Sequence, residues 1–229
     1  MRYDRQVMLP EIGIEGQQKL KQAKVLLVGV GGLGSPIALY LTAVGVGTIG
    51  LVDDDRVSLT NLQRQVLYTE SEIDRLKVDC ASARLQALNS ETQIKTYPMR
   101  LEPSNVASVV SAYDIVIDAC DNFETRYLLD EACGQLGIPY VYGAISGFEG
   151  QVSVFHYGED PRSYRLLYPN REVLIQTTPF KGVLGVTPAV TGSIQASEAI
   201  KIITGCGSVL SGKLWTIDLR TLESHIIAF

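Results

Sequence analysis

The chain has 229 residues and a formal net charge of −5, so it lacks the excess of basic residues that is typical of nucleic-acid-binding domains. Hydrophobic residues make up 46% of it, enough to fill the core of one α/β domain, yet no apolar run reaches the roughly 18 residues of a membrane span. Acids and a proline stand near the N-terminus, where a signal peptide has its apolar core. We therefore expect one cytoplasmic domain over residues 1–229 that binds neither nucleic acid nor membrane.

The first 147 residues alternate strand-like and helix-like patterns. A continuous apolar run at Lys24–Val30 predicts a strand buried on both faces, and Thr48–Asp55 is predicted as a second buried strand that ends in acids. Further strands are predicted at 92–99, 113–120 and 138–146. Helical spacing of apolar residues predicts helices at 10–22, Leu33–Val44, Lys77–Leu88, Ser104–Ala112 and Phe123–Leu136. This alternation predicts a doubly wound, Rossmann-like α/β sheet that is mainly parallel.

The pattern changes in residues 148–229. The segment at 149–157 alternates like a half-exposed strand, and 157–183 has no clear period, which is typical of a functional crossover loop. A helix at 187–205 follows, ended by Gly205. Two strands at 212–219 and 223–229 then predict a C-terminal antiparallel extension.

A glycine turn joins the first strand to the first long helix of the sheet. Gly29, Gly31 and Gly34 satisfy G-x-G-x-x-G, with Gly32 between them, and Asp53 ends the second strand at the usual distance for a ribose-binding acid. The turn and the helix N-terminus would hold phosphates. The ligand could be a redox dinucleotide or ATP, and a turn that serves only close packing remains the alternative.

Further polar residues favour a triphosphate over a redox cofactor. Asn61, Gln63 and Arg64 follow the acidic end of the second strand, and Lys77 begins a helix, where the macrodipole disfavours a cation unless an anion lies nearby. Asp121 and Asn122 follow the fourth strand, at the edge where open α/β sheets bind ligands. A carboxylate beside phosphates indicates Mg²⁺. The alternatives are a solvated lysine and simple capping of the following helix.

The histidines and cysteines supply no clear nucleophile or base. His156 and His225 lie within predicted strands and are interpreted as structural. None of Cys80, Cys120, Cys133 and Cys206 forms a C-x-x-C pair, so buried reduced thiols are expected. Cys120 is the cysteine placed nearest to the predicted nucleotide, and we interpret it too as structural.

Several segments carry a family resemblance from Tyr3 to about Leu219: "YDRQVMLPEIGIEGQQKL", "VLLVGVGGLGSP", "LVDDDRVSLTNLQRQ", "RLKVDCA", "CDNFETR" and "GQVSVF". They resemble the ThiF/MoeB/HesA family of adenylyltransferases, relatives of the ubiquitin-activating enzymes. The resemblance implies that Gly31, Gly32 and Gly34 approach the ATP phosphates and that Asp53 binds the ribose. It also implies nucleotide contacts for Asn61, Gln63, Arg64 and Lys77, a Mg²⁺ ion on Asp121 beside Asn122, and insertion of Arg5 into the partner's site in a homodimer.

The resemblance further implies the reaction. A small ubiquitin-like sulfur carrier ending in Gly-Gly would attack the α-phosphate of ATP through its terminal carboxylate, giving an acyl-adenylate and pyrophosphate. Residues 1–147 would bind the nucleotide, and residues 148–229 would bind the carrier, with the crossover loop over its tail. A ThiS-type carrier for thiamin thiazole synthesis is favoured, with a MoaD-type carrier for molybdopterin as the alternative. A tRNA or peptide substrate, a non-catalytic scaffold and an NAD-dependent oxidoreductase are the other hypotheses.

The chain departs from the family pattern at two places. Ser163 and Leu166 stand where many relatives carry a zinc-binding C-x-x-C, so we expect no structural zinc and expect Tyr164, Leu167 and Tyr168 to pack in its place. Thr178 stands where several relatives keep a cysteine that bonds covalently to the carrier. A hydroxyl is a poor substitute for a thiolate, so the reaction should end at the acyl-adenylate, with sulfur from a separate persulfide donor.

Overall fold

The computed structural model describes residues 2–177, 180 and 182–229, and in this part of the chain eight strands form one sheet. The strands are β1 (Lys24–Val28), β2 (Thr48–Val52), β3 (Gln93–Tyr97), β4 (Ile115–Asp118), β5 (Tyr140–Ser146), β6 (Glu149–Phe155), β7 (Lys213–Asp218) and β8 (Glu223–Ala228). Their order is β3-β2-β1-β4-β5-β6-β7-β8, parallel from β3 to β5 and antiparallel beyond. The predicted doubly wound sheet with an antiparallel extension is confirmed.

Helices pack on both faces of this sheet. They are α1 (Asp4–Val7), α2 (Gly13–Gln22), α3 (Gly34–Ala43), α4 (Lys77–Leu88), α5 (Val106–Val110), α6 (Phe123–Leu136), α7 (Tyr164–Leu167), α8 (Arg171–Leu174) and α9 (Thr187–Thr204). The bounds of α4 and α6 agree with the sequence prediction. Strand β1 ends two residues before its predicted end, because Gly29 turns the chain with a positive φ of 92°. Among the described residues, none of the helices combines the length and apolar character that crossing a bilayer requires.

The core lies on both faces of the central strands. Along β1, Val25 and Leu27 point into the cluster under α3, α4 and α9, while Leu26 and Val28 point into the cluster under α5 and α6. Successive side chains of a strand face opposite sides, so a strand buried on both sides needs a continuous apolar run. The double burial explains why "KVLLV" shows no polar alternation.

Helix α9 connects the C-terminal part of the chain to the first part. Its Ala196 and Ala199 share one buried cluster with α3, and a Cβ on Gly192 would lie 2.6 Å from the carbonyl oxygen of Leu33. Only a residue without a side chain permits so close an approach. The sheet and this helix therefore join residues 148–229 to residues 1–147 through a shared core.

Strand β6 is more buried than its alternating sequence predicts. Four consecutive residues, Val152–Phe155, are buried, so the prediction of a half-exposed strand is wrong. The reason is the extension: β7 pairs along the outer side of β6, and α9 packs against the face of β6. The exposed edge of the sheet is instead β8, whose six residues are all exposed.

The predicted crossover segment 157–183 contains the short helices α7 and α8 and an aromatic cluster at its base. Tyr164 is fully buried, with its ring centroid 5.2 Å from those of Tyr127 and Tyr142 and 4.8 Å from that of Tyr168. Leu167 packs against the same cluster. The prediction that these residues pack together is confirmed.

One buried carboxylate fixes the start of this segment. Asp130 on α6 accepts hydrogen bonds from the backbone N–H of Tyr164 and the hydroxyl of Ser163, both at 2.8 Å. His156 lies just after β6 with a φ of 55°, and its Nε2 is 2.8 Å from Asp130. The interpretation of His156 as a structural residue fits these contacts, and Ser163 is a hydrogen-bond donor to Asp130.

Replacing Asp130 should destabilise the fold. Asp130→Ala leaves the buried N–H of Tyr164 and the hydroxyl of Ser163 without their acceptor, so we expect the free energy of unfolding in urea to fall by about 3 kcal/mol. Glu131→Ala is the matched control, because that neighbouring carboxylate is exposed and pairs with exposed Arg165. Its cost should stay below about 1 kcal/mol. Equal effects of the two changes would contradict the role given to Asp130.

Candidate functional site

A cavity of about 1430 Å³ opens at the carboxyl ends of β1, β2 and β4 and continues along β5 and β6. The order of the strands reverses between β1 and β4, where α3 and α6 leave the sheet on opposite faces. This topological switch point is where open α/β sheets bind ligands. We call the part around β1, β2 and β4 the inner arm and the part along β5–β8 the outer arm.

The glycine turn is anchored through Val30. Its N–H donates to Asp53 Oδ2 at 2.8 Å, and its carbonyl accepts from the buried Tyr68 hydroxyl at 2.6 Å. The N–H groups of Gly31 and Gly32 donate to no described residue, and both glycines line the cavity. A fixed turn with free N–H groups beside the start of α3 is suited to bind phosphate.

The other glycines of the motif shape this turn from behind. A Cβ on Gly34 would lie 2.2 Å from the carbonyl oxygen of Gly29, and one on Gly29 would lie 2.6 Å from that of Ala119 on the neighbouring strand end. Gly34 is buried and does not line the cavity. The structure thus brings Gly31 and Gly32 to the cavity surface, and Gly34 acts through close packing.

Three consecutive acids follow β2. The carboxylates of Asp53, Asp54 and Asp55 lie within 4.8 Å of one another, close enough to share a cation. Asp53 accepts from two backbone N–H groups, those of Val30 and Asp55. Burial raises the pKa of Asp53 above its usual value, although Lys77 opposes the shift. Asp53 therefore holds the turn as well as facing the predicted ribose position.

Lys77 has an anionic partner within the chain. Its buried ammonium donates to Asp55 Oδ2 at 2.8 Å, whereas the Asp55 side chain is 69% exposed. This carboxylate explains how a cation is tolerated at the start of α4, where the helix dipole opposes it. Both residues line the inner arm, so an incoming phosphate could take the place of the exposed carboxylate.

The polar cluster after β2 divides between two places. Asn61 and Arg64 line the inner arm, and the Arg64 side chain lies beside Gly32, 3.5 Å from a Cβ built there. Gln63 is exposed and does not line the cavity; its carbonyl oxygen would lie 2.4 Å from a Cβ on Gly185, just before α9. The structure therefore brings Asn61 and Arg64 to the glycine turn, but Gln63 faces the loop before α9.

Asp121 and Asn122 follow β4, as the sequence predicts. Asn122 caps α6 by accepting from the N–H of Thr125 at 2.9 Å, while both residues line the cavity. The exposed Asp121 carboxylate makes no hydrogen bond or ion pair with the described residues. A single free carboxylate beside a phosphate site fits the way Mg²⁺ is held in nucleotide enzymes.

The cysteines offer no activated thiol in the described part of the chain. Cys120 lines the cavity, yet burial and the neighbouring Asp118 carboxylate raise the pKa of its thiol well above the usual value. Cys80 and Cys133 are buried, and Cys206 is partly buried. A raised pKa suppresses the thiolate, so the structural interpretation of Cys120 fits its environment.

A buried polar network lies beneath the Asp121 turn. The Asp118 side chain is fully buried and accepts from the Cys120 N–H at 2.8 Å and from the Tyr140 hydroxyl at 2.7 Å. Arg126 Nε lies 3.5 Å from Asp118, and Arg126 Nη2 donates to the carbonyl of Cys120 at 2.9 Å. Burial raises the pKa of Asp118 and Arg126 opposes it. The carboxylate and the guanidinium together hold both polar groups of the Cys120 backbone.

The outer arm has a wall of linked side chains. Gln151 donates to the hydroxyls of Tyr142 and Tyr168, both at 2.7 Å, and all three residues line the cavity. His225 lies within β8, as predicted, but it is exposed and lines this arm, so the interpretation of it as structural does not fit its surroundings. The reason is that β8 is an exposed edge strand.

Two remaining predicted residues lie outside this cavity's described walls. Arg5 is exposed on α1 and does not line the cavity of its own chain. Thr178 lies outside the described residues, and its predicted role stays a prediction.

Sequence reasoning assigned no role to Arg126 or Gln65, which both line the cavity. Arg126 lies within the quoted "CDNFETR" segment, three residues after the predicted start of the helix at Phe123. Gln65 is 5% exposed, lines the inner arm, and has an Oε1 atom without a hydrogen-bond partner in the described structure. The spacing of Arg126 from Asn122 gave a usable signal, since Asn122 caps α6 and residues four apart lie on one face of a helix.

Comparison with curated proteins finds several relatives. The chain is 47% identical over 223 residues to the sulfur carrier protein adenylyltransferase of Thermus thermophilus, covering 95% of this chain and 82% of that protein. It is 43% identical over 232 residues to the probable adenylyltransferase/sulfurtransferase MoeZ of Mycobacterium tuberculosis, covering 99% of this chain and 59% of that protein. Against the MOCS3 proteins of insects and maize, the chain spans about half of their length.

Solved structures share the fold. Escherichia coli MccB with ATP superposes with a TM-score of 0.86 at 23% identity, covering 99% of this chain and 71% of that one. The model of the ThiF family matches residues 3–228. With the curated relatives, this match shows that the chain belongs to the ThiF family.

Proposed function

We propose that the protein adenylylates the C-terminal glycine carboxylate of a ThiS-type sulfur carrier, a step of thiamin thiazole synthesis. The protein is an ATP-dependent adenylyltransferase of the ThiF family. The observation that carries the proposal is a single cavity in which free glycine N–H groups, Arg64, Lys77 and Asp121 meet at one end. At the other end, the outer arm continues along β5–β8, where we place the extended tail of the carrier.

The inner arm suits the triphosphate. Gly31 and Gly32 offer free N–H groups, Arg64 lies beside them, and Lys77 faces the same space from α4. Asn61 and Asp53 are available to the nucleoside, and Asn122 stands beside Asp121. These groups bind and orient ATP so that its α-phosphate faces the outer arm. A Mg²⁺ ion held by Asp121, when bound, would neutralise phosphate charge.

The reaction needs positioning more than proton transfer. One oxygen of the carrier's terminal carboxylate forms a bond to the α-phosphorus, and the bond from that phosphorus to the bridging oxygen of pyrophosphate breaks. The carboxylate is already ionised at neutral pH, so no general base is required. The main barrier is the approach of two anions, which fixed N–H groups and cations lower.

The described residues around the cavity include fewer cations than acids. Arg64, Lys77, Arg100 and Arg126 line it, against Asp53, Asp54, Asp55, Asp121, Glu149, Asp218 and Glu223. Lys77 is already paired with Asp55, and Arg126 with Asp118. A triphosphate and a carboxylate therefore need more positive charge than these described residues supply. We propose Mg²⁺ on Asp121 and Arg5 from the partner of a homodimer, since Arg5 is exposed and lies outside its own chain's cavity.

The outer arm suits a narrow carrier tail. A Cβ on Gly150 would lie 2.0 Å from Thr191 Oγ1, so β6 and α9 pack closely here. Tyr142, Gln151 and Tyr168 form one wall. A tail ending in Gly-Gly would pass between such walls without side chains to obstruct it. Residues 148–229 thus supply most of the carrier's surroundings, with β5 contributing from the first part.

Sulfur would come from a separate persulfide donor, because the one cavity cysteine in the described chain has a suppressed thiolate. The fully buried Tyr164, in contact with the rings of Tyr127, Tyr142, Phe155 and Tyr168, supports the proposal that packing replaces a structural zinc. We also propose that the reaction takes place in the cytoplasm.

A MoaD-type carrier is the alternative substrate. It is favoured by the similarity of this chain to a probable molybdopterin-synthase adenylyltransferase of Porphyra purpurea, which is 43% identical over 225 residues.

Exchange of labelled pyrophosphate into ATP tests the function. With a ThiS-type carrier ending in Gly-Gly, we expect exchange that depends on both the carrier and Mg²⁺. The same carrier lacking its last glycine is the control and should give none. Exchange with a MoaD-type carrier alone would favour the alternative, and no exchange with either carrier would reject the proposal.

Asp121→Asn should abolish exchange without unfolding the protein. The carboxylate makes no contact that stabilises the described structure, whereas the proposed ion would lose its protein ligand. We expect the exchange rate to fall by about 100-fold or more while the melting temperature stays unchanged. Glu124→Gln, an exposed acid on α6 outside the cavity, is the control and should retain full activity. Full activity of Asp121→Asn would rule out the proposed metal ligand.

Mixing two inactive variants tests the role of Arg5. If Arg5 acts in the partner's site, Arg5→Ala and Asp121→Asn are each inactive, but a hybrid dimer contains one site with both native residues. Equal mixing gives hybrids in half of the dimers, so activity should return to about one quarter of the wild-type value. Mixing Arg5→Ala with Arg5→Gln is the control and should restore nothing. Absence of recovery in proven hybrids would contradict an Arg5 contribution in trans.

A further inference from the structure

Arg126 stands at the junction of the two arms of the cavity. It is 8% exposed, lines the cavity, and begins the second turn of α6, directly beyond Asp121 and Asn122. Its Nη2 is bonded to the Cys120 carbonyl, but its Nη1 makes no hydrogen bond with the described residues. A largely buried guanidinium therefore keeps donor capacity at the wall of the cavity.

The surroundings hold this guanidinium in a fixed orientation. It lies 5.4 Å from the ring centroid of Phe123 and 5.6 Å from that of Tyr142, and Asp118 lies behind it. Aromatic faces and a carboxylate offset the cost of removing a cation from water. A side chain held in this way loses little further entropy when it binds an anion.

Two anions meet in this cavity, the triphosphate and the carrier's carboxylate. The groups suited to the phosphates, Gly31, Gly32 and Lys77, belong to the β1–α3 turn and to α4. Arg126 instead contacts Tyr142, whose hydroxyl accepts from Gln151 in the wall of the outer arm. The position of Arg126 therefore favours binding of the carrier's terminal carboxylate, which would enter through the outer arm.

We propose that Arg126 binds the terminal carboxylate of the carrier tail through its free N–H donors and aims one carboxylate oxygen at the α-phosphate. This inference rests on the proposed function and names the residue that receives its second substrate. A guanidinium matches the planar geometry of a carboxylate better than an ammonium does. Asp118 offsets part of the positive charge of Arg126. The bound carboxylate oxygen therefore stays nucleophilic enough to attack the α-phosphorus.

The test compares two carriers and several proteins. Binding is measured, with a non-hydrolysable ATP analogue present, for a ThiS-type carrier ending in a Gly-Gly carboxylate and for the same carrier ending in a Gly-Gly amide. The wild type should bind the carboxylate form ~10–100-fold more tightly. Arg126→Lys should lose most of this preference with unchanged affinity for the ATP analogue, and the pair Asp118→Asn/Arg126→Gln should bind both forms of the carrier alike.

The paired change is included in case Arg126→Lys does not fold. It removes both buried charges together and so leaves no ion unpaired. Arg165→Gln is the matched control: Arg165 also lies over an aromatic ring, 5.5 Å from the Tyr127 centroid, but outside the cavity. It should keep the full preference for the carboxylate.

Two results would overturn the inference. Folded Arg126 variants that keep the preference for the carboxylate but lose affinity for the ATP analogue would assign Arg126 to the phosphates. A wild type with carrier-dependent exchange but no preference between the two carriers would remove the inference while leaving the function intact. A wild type without exchange would remove both, so the two failures are distinguishable.

Discussion

The buried pair of Asp118 and Arg126 is the interaction on which the site depends. Asp118 ends β4 at the switch point; its side chain accepts from Tyr140 of β5, and its carbonyl accepts from Gln195 of α9 at 2.6 Å. Arg126 connects α6 to the same carboxylate through an ion pair. Because a buried carboxylate without a cation is costly, arrangements of these elements that separate Asp118 from Arg126 are disfavoured. The observed arrangement fixes the turn that presents Asp121 to the cavity.

Local patterns in the sequence predict most of this fold. The period of apolar residues gives the full bounds of α4 and α6 and the parallel half of the sheet, since these depend on residues close in the chain. It fails at β6, whose alternating pattern implies an exposed face. The burial of β6 comes from β7, about sixty residues later, and from α9. Such long-range cover leaves no trace in a local pattern.

The same division holds for the site. Motif and resemblance select Gly31, Gly32, Arg64, Lys77 and Asp121, and the structure gathers all of these around one cavity. They could not reveal that Lys77 already has Asp55 as a partner, or that Gln63 faces the loop before α9. Arg126 was not selected for a similar reason: its partners Asp118 and Tyr142 become neighbours only when β4, α6 and β5 assemble.

The base of the crossover segment connects stability to the shape of the outer arm. Asp130 fixes the backbone at Tyr164, the ring of Tyr164 packs on Tyr168, and the Tyr168 hydroxyl accepts from Gln151 in the cavity wall. Each contact in this series is short, and its first members are buried, so a shift at Asp130 would move the wall. The side chains that hold the start of the crossover segment therefore also position the part of it that would cover a carrier tail. The Asp130 carboxylate and the packed rings position this segment through hydrogen bonds and apolar contacts.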